Sequence, residues 1–150
     1  MSDVVRRRVA VLLLVVVGAI AVLAVTDTGP FDDPPTREQE VQTTVERFFG
    51  AAASGDSQMF CDLLTSDARQ ALRVNTAQQL EIEALPKCEQ ILDRLTEVFA
   101  GSEVQVKYVS VSGNRARVET RYRSQERGAE PRTVLLLEED GEWHISDAGG

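Results

Sequence analysis

The sequence predicts an α+β domain in which a set of helices precedes a four-stranded antiparallel sheet. Between Val41 and Phe99 apolar residues recur every three or four positions, and from Ser102 onward the period drops to two. Within that second half, Gly113-Asn114 and Asp140-Gly141 each sit between alternating segments, as tight hairpin turns do. Helices grouped ahead of strands cover one face of the sheet, which is the α+β arrangement.

A separate apolar run, Val9 to Val25, follows Arg6, Arg7 and Arg8 directly. Roughly 17 to 25 apolar residues cross a bilayer as a helix, so this run is at the short end of a spanning segment. The arginines hold residues 1–8 in the cytoplasm and send the rest of the chain across. The expected organisation is a cytoplasmic N-terminus 1–8, a transmembrane helix or signal anchor 9–25, a linker 26–35 and an extracytoplasmic domain 36–150. A cleavable signal peptide uses the same ingredients, with small residues such as Ala19, Ala21 and Ala24, and would leave the domain secreted. Both readings put the domain outside the cytoplasm.

The chain has 16 basic and 24 acidic residues; without Arg6, Arg7, Arg8 and Asp3 the remainder is 13 against 23. An exported domain with that acidic surplus is a poor ligand for nucleic acid or for an anionic membrane surface. Its length fits one domain with one core.

Thr26 to Pro35 mixes turn formers with three prolines and reads as a semi-stiff spacer. Thr36 with Gln39 forms a capping box ahead of Val41, Thr44, Val45, Phe48 and Ala52, which predicts a first helix over 37–53. Ser54 and Gly55 end it, and Asp56 caps a short second helix carrying Met59, Phe60, Leu63 and Leu64. Thr65 or Ser66 restarts a turn through Ala68, Ala71 and Leu72, and residues 75–84 show no clear pattern. Pro86, in a first helical position, opens a third helix with Cys88, Ile91, Leu92, Leu95, Val98 and Phe99 on its apolar side, closed by Gly101. The strands fall at 103–112, 115–124, 132–139 and 142–147.

Two-residue turns fix which residues share a face. Val109, Val111, Ala116, Val118, Thr120 and Tyr122 face the core, while Tyr108, Arg117, Glu119, Arg121 and Arg123 face away. Val104 and Val106 fall out of step with that register, which predicts a bulge or a partly covered outer face. In the second hairpin Val134, Leu136, Trp143 and Ile145 point inward; Leu135, Leu137 and His144 lie opposite.

Taken in order, Gly55-Asp56, the stretch Cys61-Asp-Leu-Leu-Thr-Ser-Asp-Ala-Arg69, Cys88 at the opening of the last helix, Gly113-Asn-Arg-Ala-Arg-Val118 and Asp140-Gly-Glu-Trp-His-Ile145 resemble the nuclear transport factor 2-like superfamily over about residues 36–147. The likeness is strongest to its secreted or membrane-tethered actinobacterial domains. It implies a cone, in which three helices pack on a curved antiparallel sheet and a pocket opens at one end. The superfamily includes ketosteroid isomerase-like and SnoaL-like enzymes as well as non-catalytic binding and dimerisation modules. The acidic and histidine residues that its enzymes place inside the cone have no clear counterpart here.

Cys61 and Cys88 are the two cysteines, both on predicted apolar helix faces. On the oxidising side of a membrane such a pair bonds, and the pairing Cys61–Cys88 is expected; two buried thiols packing as small hydrophobes is the other arrangement. With one histidine beside them they do not make the four-ligand set that zinc prefers, so neither a metal nor a cofactor is expected.

His144 is the chain's single histidine, and the register turns it away from the cone toward Leu137. Thr120 and Tyr122 offer hydroxyls inside but no paired carboxylates, and the sequence has no G-x-S-x-G, phosphate loop or H-E-x-x-H. The residues therefore point away from an enzyme. A cone pocket would be lined by Phe48, Phe49, Phe60, Val118, Thr120, Tyr122 and Trp143, residue types that serve equally well as core. Arg115, Arg117, Arg121 and Arg123 share one face of one strand, where the ordinary expectation is cross-strand pairing with the domain's own carboxylates. Tyr108, Arg117, Arg121, Leu135, Leu137 and His144 form the candidate interface on the outer sheet face.

Three functions fit: a tethered envelope domain holding a protein or a small apolar ligand, an accessory subunit of an envelope transport complex contacting its partner or a second copy through the sheet, and a SnoaL-like or ketosteroid isomerase-like enzyme. The residues favour the first.

Overall fold

The main helix begins where the capping box lies. In the computed structural model, which describes residues 33–124 and 128–149, the Thr36 hydroxyl accepts the Gln39 N–H at 3.3 Å and Gln39 Oε1 accepts the Thr36 N–H at 2.8 Å. Helix α1 then runs Arg37–Ser54 and buries Val41, Thr44, Val45, Phe48, Phe49, Ala51 and Ala52 along one stripe. Gly55 ends it with φ 76°, a left-handed conformation that glycine adopts without the Cβ clash. Asp56 next accepts the Met59 N–H at 3.0 Å and starts α2, Ser57–Asp62.

Two helix expectations need correction. The turn after Thr65 continues as a full helix, α3, Ser66–Gln79, capped by Thr65 accepting the Ala68 N–H at 3.1 Å. The described domain therefore has four helices rather than three. Helix α3 buries only Ala77, so it shows little of the apolar stripe by which helices are found in sequence. Helix α4, Cys88–Phe99, starts two residues after Pro86 rather than at it. The Pro86 carbonyl instead accepts Arg73 Nε at 2.8 Å, which joins α3 to the segment leading into α4.

The sheet is a meander in the order β1-β2-β3-β4, with β1 Glu103–Ser112, β2 Arg115–Arg123, β3 Glu130–Glu139 and β4 Glu142–Asp147. Val109 pairs with Val118 and Val111 with Ala116, and the register shifts between Val106 and Tyr108. That bulge is the one the out-of-step valines predict. It returns Val104 and Val106 to the inner side with Val109 and Val111, and all four pack partly buried against the core. On β3 and β4 Leu136 pairs with Ile145 and Glu138 with Trp143, so Val134, Leu136, Trp143 and Ile145 are buried as expected.

Helix α1 packs against β1 and β4, the two ends of the sheet. The α2–α3 junction protects the outer edge of β4: the Ile145 N–H donates to Leu63 O at 2.7 Å and the Thr65 N–H to Ile145 O at 2.9 Å, a single parallel bridge centred on Leu64. Cys61 of α2 and Cys88 of α4 are buried and disulfide-bonded, with Sγ atoms 2.01 Å apart. The expected segments 1–8 and 9–25 and most of the linker lie outside the described residues. Among the described residues no helix is long and apolar enough to cross a membrane.

Candidate functional site

The aromatic side chains that could line a cone pocket pack against one another inside the domain. Phe48 stacks on Phe60 at 4.6 Å between ring centroids and meets Phe49 edge-on at 5.3 Å; Phe49 lies 5.6 Å from Tyr122. Phe48, Phe49, Phe60, Val118, Thr120, Tyr122 and Trp143 are all buried. Two arginines close the ends of this cluster: Arg132 lies 4.5 Å over the Tyr122 ring and Arg37 lies 5.2 Å over Trp143. The Thr120 hydroxyl is spent on the Arg132 carbonyl at 3.3 Å. Aromatic rings at these separations fill the space a flat ligand would need.

Of those seven residues two border clefts at the surface: Thr120 a shallow one beside Lys107, Arg121 and Arg132, and Trp143 a larger one. The cleft at Trp143, about 640 Å³, opens between α1, α2 and the β3–β4 turn and is lined in part by Glu40, Arg47, Asp56, Asp62, Trp143 and His144. Asp56 is already engaged as the α2 cap, and His144 Nδ1 lies 3.2 Å from the Asp62 carbonyl oxygen. No cluster of three or more histidine, cysteine or carboxylate residues able to hold a metal occurs among the described residues.

The other concentration of chemistry is on the outer face of the sheet. Here the strand register lays out rows that cross the sheet: Ser110, Arg117 and Leu135 in one, Ser112, Arg115, Leu137 and His144 in the next, and Tyr108, Glu119 and Thr133 on the far side of the first. Tyr108 is 61% exposed and Leu135 40%, large values for apolar bodies on a sheet. A groove of about 390 Å³ runs between these rows, with Leu135 and Leu137 as its floor, Arg115 and Arg117 beside it and Ser110, Ser112 and Ser146 around it. Of the candidate interface residues, Tyr108, Arg117, Leu135 and Leu137 come together here. Arg121 is farther along β2, between Gln105 and Pro131. His144 is beside Leu137, half-buried, and turns toward the first cleft.

Cross-strand charge pairing, the ordinary expectation for the arginine stripe, is largely missing. The cross-strand neighbours of Arg115, Arg117 and Arg121 are serine, leucine, glutamine and proline, and only Arg123 stands opposite a carboxylate, Glu103. The one described ion pair on this face joins Arg117 to Glu119 of the same strand at 3.7 Å, with both side chains more than half exposed. Such a pair holds little energy and leaves Arg117 available.

Sequence reasoning missed two groups. Arg37 ties both hairpins to the start of α1, and no local pattern announces a partner 101 positions away. Leu80, Ile82 and Leu85, in the connection after α3, are 46%, 39% and 41% exposed. The alternation Leu80-Glu81-Ile82-Glu83 was the available signal for an uncovered apolar segment.

A family model described as "Putative lumazine-binding" matches residues 36–148. No curated protein matches the chain. Among solved structures, a conserved protein from Planctomyces limnophilus DSM 3776 is similar at 12% identity and TM-score 0.50, over 71% of this chain and 88% of that one. An NTF2-like protein of unknown function from Shewanella baltica OS155 shares 14% identity at TM-score 0.48, over 75% and 92%. A protein described as a "Putative NTF2-like transpeptidase" from Campylobacter jejuni shares 12% at TM-score 0.46, over 71% and 97%. At these identities the likeness is one of fold.

Proposed function

The chain belongs to the "Putative lumazine-binding" family within the NTF2-like superfamily, and on that premise we propose that it is a membrane-tethered, extracytoplasmic, non-catalytic domain that binds a protein partner through the outer face of its sheet. The observation that carries the reading is the contrast between the two faces. Inside, stacked aromatics occupy the volume; outside, Tyr108 and Leu135 are exposed beside an arginine stripe that the domain neutralises only in part.

Lumazine, which the family description names, is a flat polar bicycle that needs an open slot edged by hydrogen-bonding groups. The interior is poorly matched to it, since Phe48 and Phe60 are stacked where a ring would lie. The buried polar side chains of the described domain, Thr44, Thr65 and Thr120, are hydrogen-bonded to main chain and carry no ionisable group. That supports binding over catalysis, and it favours a macromolecular partner over a small apolar ligand in the cone.

The tether and the compartment follow from the arginines and apolar run at the N-terminus. The Cys61–Cys88 bond is consistent with an oxidising surrounding.

A photo-crosslinking amino acid placed at Tyr108 in intact cells tests the reading, with Gln42 on the exposed side of α1 as the control position. The expected result is a discrete protein adduct from position 108 and none from 42. Equal labelling from both positions, or none from 108, overturns it.

A further inference from the structure

We infer that the outer sheet face receives the acidic, apolar segment Leu80–Leu85 of a second copy of this chain, so that copies associate head to tail. The inference rests on the outer face being the binding face and names its occupant.

The two surfaces are complementary in chemistry. The groove has an apolar floor, Leu135 and Leu137, and two exposed guanidinium groups, Arg115 and Arg117. The segment offers three exposed apolar side chains, Leu80, Ile82 and Leu85, interleaved with the exposed carboxylates Glu81 and Glu83. Apolar groups seated on the floor would place carboxylates against arginines, which a carboxylate engages in bidentate fashion. Ser110, Ser112 and Ser146 supply hydroxyls around the groove for the main chain of an irregular segment.

The segment is also held in shape. The Ile82 N–H donates to Ala77 O at 3.0 Å and the Glu81 N–H to Gln78 O at 3.3 Å, closing α3 with a Schellman motif. Glu81 takes the left-handed position of that motif, φ 52°, where glycine is usual. Glu81 thus holds a carboxylate in a backbone conformation that favours glycine, the kind of local strain that clusters at binding sites.

Geometry excludes contact within one molecule and disfavours a twofold pairing. The groove is on the side of the sheet opposite the helices, whereas the segment connects two of those helices. Pairing the face with itself would bring one set of four arginines against another, a repulsive arrangement. Because the two patches lie on opposite sides of the sheet, one partner cannot meet both, and the contact extends into rings or chains.

The test is sedimentation of the full-length chain in a mild non-ionic detergent over a range of protein concentrations. Mass should rise with concentration and pass beyond the dimer, and added salt should reverse the growth. R115E/R117E and E81K/E83K variants should each sediment as monomers, and a mixture of the two should associate again because each face then meets an oppositely charged segment. Circular dichroism confirms that both variants are folded. A constant monomer mass for the wild type overturns the inference, as does association that survives E81K/E83K. If the wild type stays monomeric while Tyr108 still crosslinks to a different protein, the occupant is wrong and the binding face stands; if Tyr108 yields no adduct, both fail.

Discussion

The Arg37 guanidinium is ion-paired with the Glu138 carboxylate, joining the first residue of α1 to the end of β3. The same side chain donates to Gly113 O at 2.7 Å in the β1–β2 turn and lies over the Trp143 ring in β4. One residue therefore ties both hairpins to the helix start. A cation is unfavourable in the first turn of a helix, so the tertiary contacts account for its presence there.

Replacing Arg37 with alanine should cost about 1 to 2 kcal/mol, the sum of a partly exposed ion pair, a main-chain hydrogen bond and a cation–π contact. Lysine should restore less than half, since a point charge cannot hold the carbonyl, the carboxylate and the ring at once. Urea unfolding followed by the fluorescence of Trp143, the single tryptophan, reads both values. An R37A midpoint equal to wild type would remove Arg37 from this role.

The disulfide closes a loop of 27 positions between α2 and α4. In the chain-entropy account a loop of that size contributes about 3 to 4 kcal/mol, a large share of a small domain's stability. Reduction, or the C61A/C88A pair, should lower the unfolding free energy by that amount, read as a lower urea midpoint, and alkylation of protein from intact cells should label neither sulfur until a reductant is added. Full labelling without reductant would contradict both the bond in cells and the oxidising compartment.

Much of the sheet was legible because alternation and two-residue turns are local. Gly113-Asn114 and Asp140-Gly141 set the pairing, so burial of Val118, Thr120, Tyr122, Val134, Leu136, Trp143 and Ile145 followed. Even the bulge showed, as valines on the wrong side of the register. Helix α3 showed only its first turn, because Gln70, Ala71 and Gln78 are exposed and Ala77 alone is buried. The outer face with Tyr108, Arg117, Leu135 and Leu137 could be read from the period of two. Its missing charge partners could be read only on the β1 side, since those on the other side depend on which residues of β3 come alongside β2. Whether Phe48 and Phe60 line a cavity or fill one is likewise a matter of packed volume, which composition does not reveal.

Glu81 has φ 52° at the close of α3. A non-glycine residue in that conformation costs about 1 to 2 kcal/mol, while glycine adds roughly 0.5 to 1 kcal/mol of unfolded-chain entropy. Substituting glycine for Glu81 should therefore raise stability by about 0.5 to 1 kcal/mol, seen as a higher urea midpoint with an unchanged slope. A loss of stability would mean that the carboxylate makes a contact within its own molecule, and would weaken its assignment to a second copy.

Phe60 decides whether the interior is a filled core or a receptive pocket. It is buried and stacked on Phe48, so truncation to alanine should cost about 3 to 5 kcal/mol, the sum of lost transfer energy and the cavity left behind. An apolar cavity of that kind stays dry and takes up benzene or xenon, and a ligand that binds only the folded state raises the unfolding midpoint. Benzene should therefore raise the midpoint of F60A and leave that of the wild type where it is. A comparable rise in the wild type would mean that the aromatic cluster already leaves room for a guest, and the interior would replace the outer sheet face as the place to look for a ligand.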